Sequence, residues 1–232
     1  MAKKISEHRQ HALRFQVTEA YKKARTNLVY SIIKKGCKKI IFTSPNKGEG
    51  KSTTAINVAI ALSQQKNTKV IVIDCDLRCP TTHTYFGLTG DEKGLANFLG
   101  EECTLEEAIS GTGTENLDLI TFGAIPPNPS ELLSSDSMAE LVEELEKTYN
   151  YIIFDTPPVN MVVDVIPLIG LSDGTVLVVK HNSSTYPEIK TAVDTLKRNQ
   201  AKIAGVIING TPTSGTSRGE YLSPNKKEKT YE

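Results

Sequence analysis

Residues 39–53 read KIIFTSPNKGEGKST. Lys39–Thr43 is a short, continuously apolar run rich in β-branched residues, the pattern of a strand covered on both faces. A loop with two glycines follows, and Lys51–Gln65 then shows helical spacing. Strand, glycine-bearing loop, Lys-Ser and helix is the order of a phosphate-binding loop. Glycines let successive backbone N–H groups turn inward around phosphate oxygens, and the start of a helix adds partial positive charge. On this reading Lys47, Gly48, Glu49, Gly50, Lys51, Ser52 and Thr53 surround a nucleotide's phosphates. Lys51 reaches the β/γ-phosphates and Ser52 ligates Mg²⁺. Pro45 stands where the strict pattern has its first glycine, so the match is to GxGK[ST] and its flanks.

Outward from this loop, strand-like and helix-like segments alternate. Lys69–Ile73, Leu117–Thr121, Tyr151–Phe154, Thr175–Val179 and Ile203–Ile208 read as strands. Residues 137–149 and 186–199 read as helices. The strands lack in/out alternation. The order therefore predicts an α/β fold with a doubly wound, mostly parallel sheet flanked by helices. Before the first strand, Val17, Ala20, Tyr21, Ala24, Leu28 and Ile32 form one helical stripe that predicts a helix over 17–35, stopped by Gly36. Residues 1–16 show no periodicity and read as a flexible basic arm. From Thr211 onward Pro, Ser, Thr, Gly and Lys dominate, so 211–232 reads as a disordered tail. It carries Tyr221 and Tyr231. One domain, 17–210, lies between the arm and the tail.

The chain has 232 residues with 27 Lys+Arg against 27 Asp+Glu. Zero net charge argues against a generally basic nucleic-acid binder. The longest apolar run, from Val159 to Val179, is interrupted by Asp164, Pro167 and Asp173, so no transmembrane helix is predicted. No secretory leader is evident at the start. The four cysteines read as reduced thiols, and Cys75 and Cys79 lack the partners of a zinc site. Charge is unevenly placed: residues 1–39 carry +9 and residues 40–217 carry −10. The basic segment is either a solvated arm or a contact for an anionic membrane face or acidic neighbour.

Two further acidic segments point to the same site. Lys69–Ile73 runs into Asp74-Cys75-Asp76-Leu77-Arg78, and Tyr151–Phe154 runs into Asp155-Thr156-Pro157-Pro158. Both place carboxylates at the C-terminal edge of the sheet, where ligands bind in such folds. Asp74 and Asp76 are two apart on an extended chain and are expected to share a face. Like charges there call for a cation, so Asp76 and Asp155 read with Ser52 as Mg²⁺ ligands. Arg78 neutralises a carboxylate or touches phosphate. The alternative for Asp74 or Asp76 is capping of the following helix.

With these motifs in hand, the sequence resembles the bacterial tyrosine kinases of capsule and exopolysaccharide synthesis, over about residues 17–210. SPNKGEGKST looks like the family's Walker A, VIVIDCDLRCP like its Walker A′, and YIIFDTPPV like its Walker B. GAIPPNPSELLSS at 123–135 looks like its proline-rich segment. Glu19, Lys22 and Arg25 look like the E-x-x-R-x-x-R helix that builds a ring-shaped homo-oligomer, with Lys in place of the first Arg. The resemblance implies a P-loop NTPase fold of the deviant Walker group. It also implies transfer of the γ-phosphoryl group of ATP to tyrosine, with Lys51, Asp74, Asp76 and Asp155 as the catalytic set. Asp74 is the first choice for accepting the phenol proton and Asp76 the alternative.

The same resemblance makes Tyr221 and Tyr231 autophosphorylation sites reached in trans. Fully extended, the tail spans roughly 65–75 Å. It further implies a free cytoplasmic kinase recruited to the inner membrane face by a membrane activator of the polysaccharide co-polymerase type. Other protein tyrosines serve as substrates, and nucleic acid does not enter. Asn209, ending the last strand, resembles a base-reading position or else starts a turn. The rival reading is a partitioning-type switch ATPase without kinase activity. Against it, that class has a signature Lys where this chain has Asn46.

Overall fold

The computed structural model describes residues 2–211, with side chains from Phe15 onward. The long helix α1 (Ala2–Ser31) precedes strand β1 (Lys38–Thr43) and helix α2 (Lys51–Ser63). Then come β2 (Val70–Asp74), the short helices α3 (Thr82–Tyr85), α4 (Leu95–Leu99) and α5 (Leu105–Ala108), and strands β3 (Ile109–Gly111) and β4 (Leu117–Ile120). Helices α6 (Pro129–Leu133) and α7 (Asp136–Glu146) lead to β5 (Tyr151–Asp155) and α8 (Ile166–Ile169). Strand β6 (Gly174–Lys180), helix α9 (Tyr186–Arg198) and strand β7 (Ile203–Asn209) complete the described chain.

The sheet order is β3-β4-β2-β5-β1-β6-β7. Every pair is parallel except β3 with β4. Side chains alternate between two apolar layers, which explains the continuous apolar runs. Ile40 and Phe42 pack with Leu28, Ile32, Ala55, Val58 and Leu62 on the α1/α2 side. Ile41, Ile152 and Phe154 pack with Met138, Leu141, Leu145, Leu168 and Leu196 on the other. Each fully buried large side chain contributes about 1.5–3 kcal/mol relative to exposure.

Two readings of the N-terminal region change. The helix expected over 17–35 begins at Ala2 and ends at Ser31, so it takes in the segment read as a flexible arm. That segment has no Gly or Pro and is rich in Ala, Lys, Arg, Gln and Glu. Once the later turns are held by packing, adding earlier ones costs little. Val17 and Ala20 are exposed, and the packed part of the stripe starts at Tyr21. The tail tyrosines, Tyr221 and Tyr231, lie outside the described residues. The antiparallel edge strand β3 was not expected; its three residues, Ile-Ser-Gly, carry no readable period.

The register gathers the acidic strand ends. Asp155 of β5 is aligned with Phe42 of β1 on one side and with Asp74 of β2 on the other. The C-terminal ends of these three strands therefore open onto the loop that starts α2.

Candidate nucleotide and phosphoryl-transfer site

The loop between β1 and α2 closes through two left-handed glycines, Gly48 at φ +80° and Gly50 at φ +85°. Gly50 is needed for space as well as conformation. A Cβ there would lie 2.3 Å from the Asn209 side-chain nitrogen. Asn209 Nδ2 donates to the carbonyls of Glu49 (3.2 Å) and Gly50 (3.5 Å) and to Thr54 Oγ1 (3.2 Å). The residue read as a candidate base reader thus braces the loop from behind with its amide donors.

Glu49 is also turned away from the phosphates it was expected to line. Its side chain is buried and accepts from the amides of Asn46 (3.2 Å) and Lys180 (3.1 Å) and from the Ser184 hydroxyl. A carboxylate surrounded by donors is better placed here than against anionic phosphate. Glu49 therefore ties the loop to the end of β6. The remaining loop residues, Lys47, Gly48, Gly50, Lys51, Ser52 and Thr53, line a cavity of about 500 Å³. Asp76, Arg78, Cys79, Tyr85, Pro157, Pro158, Met161 and Val162 complete much of its wall.

Lys51 is the hub of this cavity. Its Nζ lies 2.8 Å from Asp76 Oδ2, 3.4 Å from Asp155 Oδ1 and 3.1 Å from Ser52 Oγ. Asp74 points elsewhere. Its Oδ2 accepts from the Thr82 hydroxyl (2.6 Å) and amide (3.2 Å), and its Oδ1 accepts from the Asp76 amide (3.1 Å). The two acids do not share a face, because β2 ends at Asp74 and the strand alternation ends with it. Asp74 is fully buried and joins α3 to the site; Asp76 borders the cavity.

Burial pushes the Asp155 carboxyl up to about 7; Lys51 opposes the rise and Asp74 adds to it. Burial likewise raises Asp74, against the hydrogen bonds from Thr82. For Lys51 burial acts downward, yet Asp155, Asp76 and Asp74 together outweigh it and keep the ammonium above its ordinary value. One ammonium thus stabilises a cluster of acids that would otherwise repel.

Asp155 Oδ2 is buried and has no hydrogen-bond partner. An unsatisfied carboxylate oxygen beside the Ser52 hydroxyl fits a hard cation brought in with phosphate. Among the described residues no three His, Cys, Asp or Glu side chains form a metal cage. Mg²⁺ sites use one or two carboxylates plus substrate phosphates rather than such cages.

Arg78 forms a bidentate pair with Asp164, Nε to Oδ2 at 2.7 Å and Nη2 to Oδ1 at 3.0 Å. Asp164 was not read as a site residue. The signal was present, a single acid inside the apolar segment 159–169, but only the tertiary structure brings it to Arg78.

A model described as an AAA domain matches residues 37–204. The tyrosine-protein kinase YwqD of Bacillus subtilis is 40% identical over 204 residues, covering 88% of this chain and 85% of that one. This chain belongs to the bacterial tyrosine-protein kinase family. Among solved structures, the chimerical protein CapA2B2 superposes with a TM-score of 0.78 at 36% identity, covering 83% of this chain and 84% of that one. The kinase domain of the Escherichia coli tyrosine kinase ETK gives 0.80 at 30% identity, with 86% and 78% coverage. The family resemblance, the α/β P-loop fold and the kinase assignment are borne out. The partitioning-type switch is not favoured.

In this kinase the three residues of the expected ring motif take different positions. Glu19 and Lys22 pair at 2.9 Å on the exposed face of α1. Arg25 turns inward, its Nη1 donating to the Ala61 carbonyl in the last turn of α2 at 3.0 Å. Among the described residues no helix is long and apolar enough to cross a membrane.

Proposed function

We propose that this kinase transfers the γ-phosphoryl group of ATP to tyrosine hydroxyls, including Tyr221 and Tyr231 of a neighbouring copy, and thereby regulates capsular or exopolysaccharide synthesis. The observation that carries the reading is Lys51 held between Asp76 and Asp155 beside the glycine loop. When triphosphate enters, Lys51 exchanges part of its carboxylate pairing for the β/γ-phosphates, and the loop amides hold the remaining oxygens. Ser52 and Asp155, with Asp76 beside them, would hold Mg²⁺, which supplies positive charge to the phosphates. The phenol oxygen bonds to the γ-phosphorus while the bond to the ADP oxygen breaks. The phenol proton passes to the Asp74/Asp76 pair, whose cavity-facing member is Asp76. The buried hydrogen bonds of Asp74 fix the Asp76 backbone.

The homo-oligomer that supports transfer in trans uses the exposed Glu19/Lys22 face of α1, while Arg25 anchors that helix to α2. The basic charge of residues 1–39 suits the cytoplasmic end of a membrane activator of the polysaccharide co-polymerase type. Such a partner would place the kinase at the inner membrane face.

A mixing experiment tests transfer in trans. Active enzyme carrying Tyr221→Phe and Tyr231→Phe is incubated with Lys51→Met protein and ATP. Phosphotyrosine on the Lys51→Met chain is expected, at Tyr221 or Tyr231. ATP hydrolysis with no phosphotyrosine on either chain would contradict the proposal.

A further inference from the structure

The Arg78–Asp164 pair is asymmetric. Asp164 is completely buried, and the Arg78 side chain is 46% exposed on the cavity wall. The pair uses Nε–H and one Nη2 hydrogen of a group with five donors, leaving three N–H groups for other partners. The two residues come from the loops that follow two adjacent strands. Arg78 follows β2, and Asp164 sits in the β5–α8 segment that also supplies Pro157, Pro158, Met161 and Val162 to the wall. Burying a carboxylate is costly, and an apolar contact would join two loops as well or better. What the ion pair adds is orientation, because a bidentate carboxylate fixes the plane and direction of a guanidinium.

We infer that Asp164 is a positioning residue for phosphoryl transfer: it aims the free N–H groups of Arg78 at the phosphoryl group as charge develops on it. This inference rests on the kinase reading above. Lys51 and the loop amides hold the phosphates in the ground state. Arg78 adds donors that count most in the transition state, so its loss appears in kcat more than in KM.

The test uses the full chain as Asp164→Asn, Arg78→Lys and the double variant. Initial rates of phosphotyrosine formation are measured against ATP concentration, with ADP affinity and melting temperature recorded alongside. Asp164→Asn keeps the buried shape but loosens the fork. Arg78→Lys keeps charge but loses the fork. Each is expected to lower kcat about 10- to 100-fold, with KM for ATP and ADP affinity within about twofold. The double variant is expected to lose no more than the worse single one, since both act through one guanidinium. Should Asp164→Asn melt below the assay temperature, Arg78→Lys decides alone. Wild-type kcat in the variants overturns the inference, as do multiplied losses in the double variant or a loss in ADP affinity that accounts for the whole effect. In each case wild-type phosphotyrosine leaves the kinase reading standing. No phosphotyrosine from the wild type overturns both.

Discussion

At the scale of single residues, Asp155 makes the ligand-free site pH-dependent. Its carboxyl sits at about 7 in the folded chain against an ordinary value of 3.8. The folded state therefore binds a proton that the unfolded state has released between those values. The stabilisation is fully present below about pH 3.8 and is lost as pH rises through about 7. Asp155→Asn abolishes this titration. Thermal melts of ligand-free protein should show the variant gaining on wild type from about pH 4 to pH 8. Parallel melting curves across that range would contradict the assignment. Gly50 allows a second prediction. Gly50→Ala meets both a left-handed backbone and the Asn209 amide. Backbone strain alone costs about 1–2 kcal/mol, and the loop must shift besides. Lower stability in denaturant and weaker ATP binding are expected together; unchanged ATP binding would show that the loop geometry is not needed.

At the scale of elements, the glycine loop depends on partners distant in sequence. Glu49 joins it to β6 through the amides of Asn46 and Lys180 and the Ser184 hydroxyl. Glu49→Ala leaves those donors without their acceptor, at roughly 1–3 kcal/mol for each one left buried. Denaturation should register a loss of about 2 kcal/mol or more, with a raised KM for ATP; full stability would refute the bracing role. Such dependence also explains what was legible beforehand. The β1 strand, the P-loop and α2 were readable because local period and glycine chemistry define them. So was the arrival of Asp74 and Asp155 at one sheet edge, since strand ends set it. The orientation of Glu49, Asn209 and Asp74 was not readable. Each is decided by hydrogen-bond partners elsewhere in the chain: the Ser184 and Lys180 donors for Glu49, the accepting loop carbonyls for Asn209, and the Thr82 donors for Asp74. The start of α1 was missed because residues 1–16 carry no apolar stripe from which a helical period could be read.

At the scale of the whole molecule, the basic N-terminal region and the acidic remainder favour assembly between copies or with an acidic partner. Phosphorylation adds about −1.5 to −2 charges per tyrosine at pH 7. In the proposed homo-oligomer, phosphorylated Tyr221 and Tyr231 of neighbouring copies would repel, so phosphorylated protein should sediment as a smaller species than unphosphorylated protein. Identical sedimentation would remove charge as the means of disassembly. The central claim is that Lys51, Asp76, Asp155 and the glycine loop form a site for phosphoryl transfer to tyrosine. Its most direct test is intact mass, with phosphopeptide mapping, of wild-type and Lys51→Met protein after incubation with ATP and Mg²⁺ and again after phosphatase treatment. The account predicts phosphatase-sensitive phosphoryl increments on tyrosine in wild type and none in Lys51→Met; unmodified wild-type protein, or equal modification of both, would contradict it.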